Sequence, residues 1–352
     1  MRILVTGTDG YLGCLLAPTL IAQGHEVIGV DTGFYKAGWL YNGLEAAPKT
    51  LAKDMRDLTV EDFEGVDAVV AMAELSNDPI GDLIGEITYE INHKGSVHVA
   101  TMAKQAGVKR FVYMSSCSVY GVADGTVDET SPINPQTAYA KCKALVEGEL
   151  TAMADDTFSP TMLRNSTAFG ASPRMRFDIV LNNLAGLAWT EKNIAMTSDG
   201  TPWRPMVHAL DIAKAIRCVL AAPIETVHNQ IFNVGSDDNN YTVRQIAETV
   251  GAAFPGCEVS FGPPSADNRS YKVGFAKIHQ ALPDFSCDWN LADGARQLHD
   301  VFASIQLDKA TFNGRGHTRL KQIQYLMETG QVDASLYWTK APAAAAGRGA
   351  SA

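Results

Sequence analysis

Nowhere in this chain do lysines and arginines gather into a patch. Its 29 basic residues stand against 39 acidic ones, a formal net charge of −10. That balance excludes the basic face a nucleic-acid binder needs. The six cysteines (Cys14, Cys117, Cys142, Cys218, Cys257 and Cys287) form no Cys-x-x-Cys pair. Scattered cysteines fit reduced thiols in a cytoplasm and argue against a disulfide framework or a zinc site. No apolar run has the length of a membrane span, and the N-terminus reads as entering a strand at once, so no signal peptide is expected. His93, His98 and His208 lack metal-ligand spacing with acidic partners, so no metal is expected. The expectation is a cytoplasmic chain; its 352 residues, 46% apolar, are long enough for one large domain or two lobes around a cleft.

The strongest local signal lies at the start. A short apolar strand, residues 2–6, runs straight into Gly7, Gly10 and Gly13, with Tyr11 and Leu12 between the last two. Gly7 allows a sharp turn off the strand, Gly10 a close approach to a pyrophosphate, and Gly13 close packing of the next helix. The helix N-terminus then offers unpaired N–H groups and partial positive charge to phosphates. A second strand, 26–30, ends on Asp31. A carboxylate at that place suits the ribose diol of NAD and repels the 2′-phosphate of NADP.

Strands and helices alternate through the first half: strands at 67–72, 110–114 and 160–164, helices at 86–106 and 138–153. This rhythm predicts an α/β, Rossmann-like, doubly wound parallel sheet. After about residue 170 the rhythm breaks, with helices at 211–221, 242–253, 291–304 and 317–329. The expected organisation is a dinucleotide-binding domain over 1–170 and a smaller mixed α/β lobe over 171–335. Some later segments should return to the main sheet. The Ala/Gly-rich stretch 341–352 is expected to be a disordered tail. Trp39 and Tyr41, in a Gly-rich stretch after Asp31, are expected to cover the adenosine or to lie over the cleft in a mobile loop.

A second constellation supplies chemistry. Tyr139 and Lys143 are four apart on the 138–153 helix and share a face. An ammonium beside a phenol favours the phenolate and lowers the tyrosine pKa from about 10 toward a working acid/base range. Ser116 ends the strand before that helix, at the carboxyl edge of the sheet where ligands bind. The three would converge on a nicotinamide.

With these residues in place, the chain resembles the extended short-chain dehydrogenase/reductases, in the nucleotide-sugar epimerase/dehydratase group. The resemblance spans roughly 1–330. It rests on the three glycines, Asp31, Asp54-Met55, Ser116 with Val119-Tyr120-Gly121, and Tyr139/Lys143. Further on it rests on Asn182-Asn183-Leu184, Asp199-Gly200 with Arg204, Asn233-Val234-Gly235, and Asp267/Arg269. It implies a cofactor set of Gly7, Gly10, Tyr11, Leu12, Gly13, Asp31, Asp54, Met55, Ala73, Tyr139 and Lys143. Asp54 would accept from the adenine amino group, Met55 would line the base pocket, and Lys143 would also bond the nicotinamide ribose. Asn183, Arg204 and Arg269 would hold the nucleoside diphosphate of a sugar substrate, as guanidinium forks do. A homodimer through the 86–106 and 138–153 helices is also implied.

Three departures matter. Cys117 and Ser118 stand where sugar dehydratases of the group carry an acidic residue, which disfavours dehydration. Cys117 is read as a buried thiol. Glu74 replaces a small residue near the expected nicotinamide ribose; it is either a solvated or ribose-bonded carboxylate, or an added acid/base or substrate contact. Thr167 stands where many epimerases have a substrate-touching Asn. His93, His98 and His208 are read as surface or packing residues, with pocket lining the alternative for His208. The leading expectation is an NAD-dependent nucleotide-sugar epimerase using Ser116, Tyr139 and Lys143. A net NAD(H)-dependent reductase or dehydrogenase, and a non-catalytic NAD-binding regulator, stay open beside it.

Overall fold

Alternating apolar side chains on seven short strands build the centre of the protein. The computed structural model describes residues 1–42, 46–76, 78–264 and 270–340. The strands are β1 (Arg2–Thr6), β2 (Glu26–Asp31), β3 (Lys49–Ala52), β4 (Ala68–Ala71), β5 (Arg110–Ser116), β6 (Ser159–Asn165) and β7 (Gln230–Val234). They pair in parallel in the order β7-β6-β5-β4-β1-β2-β3. Both faces are buried. On β1, Ile3 and Val5 enter one core while Leu4 enters the other; on β5, Val112 and Met114 oppose Phe111 and Tyr113. Such two-sided burial is what a parallel sheet covered by helices requires.

The helices that matter for the site are α1 (Gly13–Ala22), α2 (Ser96–Gln105), α3 (Ala138–Met153), α4 (Val180–Thr190), α5 (Ala209–Ala221), α6 (Val243–Ala253), α7 (Leu291–Ser304) and α8 (Arg319–Glu328). Leu16, Ala17 and Leu20 of α1 share a core with Ile212, Ile216 and Val219 of α5. Val99 and Ala103 of α2, Val146 and Leu150 of α3, and Ile323 and Leu326 of α8 cover the opposite face. The stretch read as one helix over 86–106 is helical but not uniform: Gly85–Thr88 is α, Tyr89–Gly95 is π, and α2 follows.

The third core lies beside the sheet. Phe169, Phe177, Leu184, Phe254, Leu298, Phe302 and Phe312 pack together with further apolar residues of α4, α6 and α7. A small sheet flanks it, in which Trp203–His208 pairs in parallel with Thr167–Phe169. Among the described residues, no helix is long and apolar enough to cross a membrane. The stretch 341–352, expected to be a disordered tail, lies outside the described residues, as do Asp267 and Arg269.

Candidate active site

The strand order reverses direction between β1 and β4, and the loops leaving these two strands part at that point. Open parallel sheets bind ligands there. A cavity of about 330 Å³ occupies the place. Its wall is built from the carboxyl ends of the strands: Gly7 after β1, Asp31 closing β2, Ala73 and Glu74 after β4, Ser116 closing β5 and Thr167 after β6.

The glycine turn fits the pyrophosphate-binding role. Gly7 N–H donates to Val30 O at 2.7 Å, tying the turn to β2. A Cβ on Gly13 would stand 2.1 Å from Gly7 O and 2.6 Å from Thr8 Cα, so backbone packs on backbone and a side chain has no room. The hydroxyl of Thr6 accepts from Met72 and Ala73 N–H at 3.0 and 3.1 Å, fixing the end of β4 against this turn. Gly10, Tyr11, Leu12 and Gly13 all line the cavity, and α1 starts there. The Tyr11 hydroxyl turns away, donating to Gly170 O at 2.7 Å.

Asp31 lines the cavity while its two oxygens accept from Asp9 N–H (3.0 Å) and Gly33 N–H (2.7 Å). Burial, helped by the Asp9 charge, pushes its pKa up to about 6 against those N–H bonds. Asp54 and Met55 also line the cavity. Asp54 is engaged by Arg56, whose Nε and Nη2 lie 2.9 and 2.7 Å from its oxygens. A cradle a Cβ would fill, a helix N-terminus and a carboxylate at the second strand end together fit a dinucleotide.

The Tyr139/Lys143 pair sits on the same wall. Thr137 caps α3, its hydroxyl accepting from Ala140 N–H at 3.2 Å, and the helix then carries Tyr139 and Lys143 into the cavity. A buried network fixes α3 against the strand ends. Glu147 accepts from Ser115 Oγ (2.5 Å) and from Arg164 Nε and Nη2 (2.9 and 2.7 Å). Arg164 Nη1 reaches Tyr120 Oη (2.9 Å), and Tyr120 donates to Asn233 (2.8 Å). The Lys143 ammonium stands 5.3 Å from the Tyr139 ring centroid. Ser116 Oγ lines the cavity and accepts from Ser118 N–H at 3.1 Å.

Glu74 corrects the expectation of a solvated carboxylate. Its side chain is 3% exposed and lies 2.6 Å from Lys143 Nζ, itself 3% exposed. Tyr113 Oη donates to it at 2.7 Å and Ser96 Oγ at 3.2 Å, and Lys143 also donates to Met114 O. Burial works to lower the Lys143 pKa, but Glu74, Tyr139 and Glu147 together outweigh it and hold the ammonium above the ordinary lysine range. A bulky acidic residue is tolerated here because the buried Lys143 ammonium meets its charge.

Other residues are placed differently. Asn183 Nδ2 donates to Phe177 O at 2.9 Å, and Arg204 Nη1 donates to Trp203 O at 2.9 Å. Neither lines the cavity. Arg269 lies outside the described residues. Trp39 and Tyr41 do not line the cavity either; Thr32, Phe34 and Tyr35 of the same stretch do. Trp39 stacks under Arg174 at 4.7 Å, and Tyr41 packs on the lobe core, which replaces the expected cover over the adenosine. Cys117 is buried, donating to Arg164 O at 3.1 Å. His208 is a packing residue: its ring stacks 4.2 Å from Trp289 and bonds Gln297 at 2.8 Å. Residues 3–7 and the Tyr/Lys pair announce themselves in sequence, whereas two further cavity residues, Arg176 and Arg319, carry no local signal.

Comparison with known proteins agrees with this geometry. Residues 3–235 match the family model described as NAD dependent epimerase/dehydratase family. A UDP-glucose 4-epimerase of Corynebacterium glutamicum is 30% identical over 275 residues, 70% of this chain and 79% of the relative. One from Bacillus subtilis is 27% identical over 85% of this chain and 94% of the relative. Among solved structures, a UDP-glucose 4-epimerase from Thermotoga maritima with UDP-glucose superposes with a TM-score of 0.75 at 21% identity, covering 87% of this chain and all of that one. DesIV, a dTDP-glucose 4,6-dehydratase from Streptomyces venezuelae with NAD, gives 0.75 at 24% identity over 86% of this chain and 97% of its own. The chain therefore belongs to the NAD-dependent epimerase/dehydratase family, an extended short-chain dehydrogenase/reductase whose cofactor is NAD.

Proposed function

We propose that the protein is an NAD-dependent epimerase of a nucleotide-diphosphate sugar, working through a transient keto-sugar. The observation that carries this reading is the convergence of Ser116, Tyr139 and Lys143 on the wall that the glycine turn and Asp31 also line. Tyr139, as phenolate, takes the proton of a sugar hydroxyl and later returns it. Ser116 Oγ bonds the sugar oxygen as it becomes a carbonyl. The Lys143 cation favours the phenolate, and Glu74 positions that cation with the help of Met114 O. Bound along the glycine turn and Asp31, NAD would supply a two-electron hydride acceptor and donor for the sugar carbon. Turning of the keto-sugar between the two transfers inverts the carbon.

Dehydration is disfavoured because no carboxylate follows Ser116. Burial pushes the Cys117 thiol well above the usual range, so it is no proton donor for an elimination. The curated relatives named UDP-glucose 4-epimerases support a uridine nucleotide as the carrier. Thr167 on the cavity wall is assigned to the sugar. Asn183 and Arg204, outside the lining, are assigned with Arg269 to the nucleotide end of the substrate. Residues 1–170 mainly hold NAD and 171–335 mainly the substrate. Two copies pair through the helical stretch 85–105 and α3, where Leu145 is 44% exposed, and the protein works in the cytoplasm.

The test is incubation with a panel of UDP-, dTDP-, GDP- and CDP-sugars, with the sugar product resolved by NMR and NADH absorbance followed in parallel. The expected result is interconversion of epimers with no net NADH change. Tyr139→Phe should lower kcat by about 10²–10⁴. Stoichiometric gain or loss of NADH would replace the epimerase by a net oxidoreductase. Activity that survives Tyr139→Phe would remove the acid/base assignment.

A further inference from the structure

The cavity wall carries more buried positive charge than its protein partners use. Arg176 and Arg319 both line it, and they are 9% and 4% exposed. Arg176 is satisfied: Nε donates to Asp178 Oδ1 (2.8 Å), Nη1 to Ser76 Oγ (3.0 Å) and Nη2 to Ser76 O (3.1 Å). Arg319 is not. Its guanidinium stacks 3.9 Å above the centroid of the Tyr35 ring, and its Nη1 is buried with no hydrogen-bond partner among the described residues. Asp178, the carboxylate beside it, accepts from the Arg319 main-chain N–H (3.0 Å) and gives its other oxygen to Arg176. Burial and the neighbouring Arg176 and Arg174 charges lower the Arg319 pKa to about 10, which leaves the guanidinium protonated at neutral pH. A buried cation with an unused N–H is expensive unless an anion completes it.

The setting says which anion. Arg319 stacks on Tyr35, in the loop after β2, and Arg176 bonds Ser76, in the loop after β4, while the sheet places β1 and its glycine turn between those two strands. The two guanidiniums thus share a wall with the glycine turn and Tyr139, where the diphosphate of a dinucleotide or of a nucleotide sugar would meet them. Arg319 opens α8, well beyond residue 235 where the family match ends. The segment is clamped to the loop that follows Asp31. Gln322 Nε2 donates to Phe34 O (2.8 Å), and Trp338 Nε1 donates to Thr32 O (2.8 Å). A Cβ on Gly38 would stand 1.7 Å from Gly316 O, so the two backbones touch.

We propose that Arg319, backed by Arg176, is an anion subsite that takes a ligand diphosphate, and that α8 is thereby a working part of the ligand site. This deepens the reading of the cavity as a nucleotide site and rests on it. The diphosphate comes from the cofactor or from the nucleotide sugar, and both would present the same pair of charged phosphates to the fork.

The test is calorimetric titration of the nucleotide-free full-length protein with ADP-ribose, with UDP and, by competition, with adenosine. Wild type is compared with Arg319→Met and Arg319→Lys. Arg319→Met should weaken ADP-ribose at least tenfold, leave adenosine within twofold, and not lower the melting temperature of the empty protein. Arg319→Lys, which keeps the charge but not the fork, should lose at least threefold for ADP-ribose with no change for adenosine. If UDP takes those losses and ADP-ribose does not, the subsite stands and belongs to the nucleotide sugar. Unchanged affinity for both diphosphates in both variants overturns the proposal, as does a parallel loss for adenosine and ADP-ribose, which marks a packing role. The readout needs no turnover, so a chain inactive on every sugar nucleotide would still report on Arg319.

Discussion

Removing one member of the Lys143–Glu74 pair should cost far more than removing both. Each side chain is 3% exposed and the charges are 2.6 Å apart. In Lys143→Met the carboxylate keeps its bonds from Tyr113 and Ser96 but loses its counter-charge. Breaking a buried pair from one side costs about 3–5 kcal/mol. The two surviving hydrogen bonds place the expected loss near the lower end, about 3 kcal/mol. Adding Glu74→Gln removes the stranded charge and keeps an amide oxygen facing Tyr113, so about 2 kcal/mol should return. Urea unfolding followed by circular dichroism, without added nucleotide, gives the four corners of the cycle. A coupling below about 0.5 kcal/mol would refute the reasoning. So would a Lys143→Met variant as stable as wild type. Either result would mean that Glu74 does not hold the ammonium and that Lys143 is free for ligand alone.

Glu74→Gln by itself removes a negative charge near the phenol, which favours the phenolate. The acidic limb of the kcat/KM profile should move down by roughly one pH unit, and an upward move would show that Lys143 had lost its proton instead. Asp31, held at about 6, is protonated below that pH in the empty protein. The ribose diol donates to the ionised form, so NAD affinity should fall as pH drops through 6, by at most about tenfold per unit, and Asp31→Asn should flatten the dependence in calorimetric titrations. For unliganded stability the same raised pKa works in the other direction: its contribution is present below the unfolded value near 3.9 and is lost as pH rises through about 6. Gly13→Ala drives a Cβ to 2.1 Å from Gly7 O. It should abolish NAD retention and lower the melting temperature by more than about 5 °C, and an alanine variant that retains NAD would show that the turn can yield.

Legibility in the sequence followed contiguity. The strand, glycine turn, helix and second strand with its terminal Asp31 are all local, so 31 residues declare both the fold class and the cofactor. Tyr139 and Lys143 share one helix face and were equally plain. The fate of Glu74 was hidden because its partner comes from α3, 69 residues away, and the pairing exists only once α3 packs on β5. Arg176 and Arg319 were invisible for a similar reason: each sits in no periodic pattern, and their charge matters only because the tertiary fold buries it. Asn183 shows the converse. A motif position in sequence, it lies outside the cavity lining, where one amide N–H donates to the nearby Phe177 carbonyl.

The clamp between the 32–38 loop and the 316–338 segment has a consequence for how the protein opens. The nucleotide wall joins residues some three hundred positions apart, so a partly folded chain with the sheet alone has a glycine turn but no far side to the cavity. Ligand binding then rewards only the complete fold. Local loosening of α8 and loss of the nucleotide become one event: saturating ligand should slow amide exchange in 319–328 more than in the sheet core, which is protected in either state.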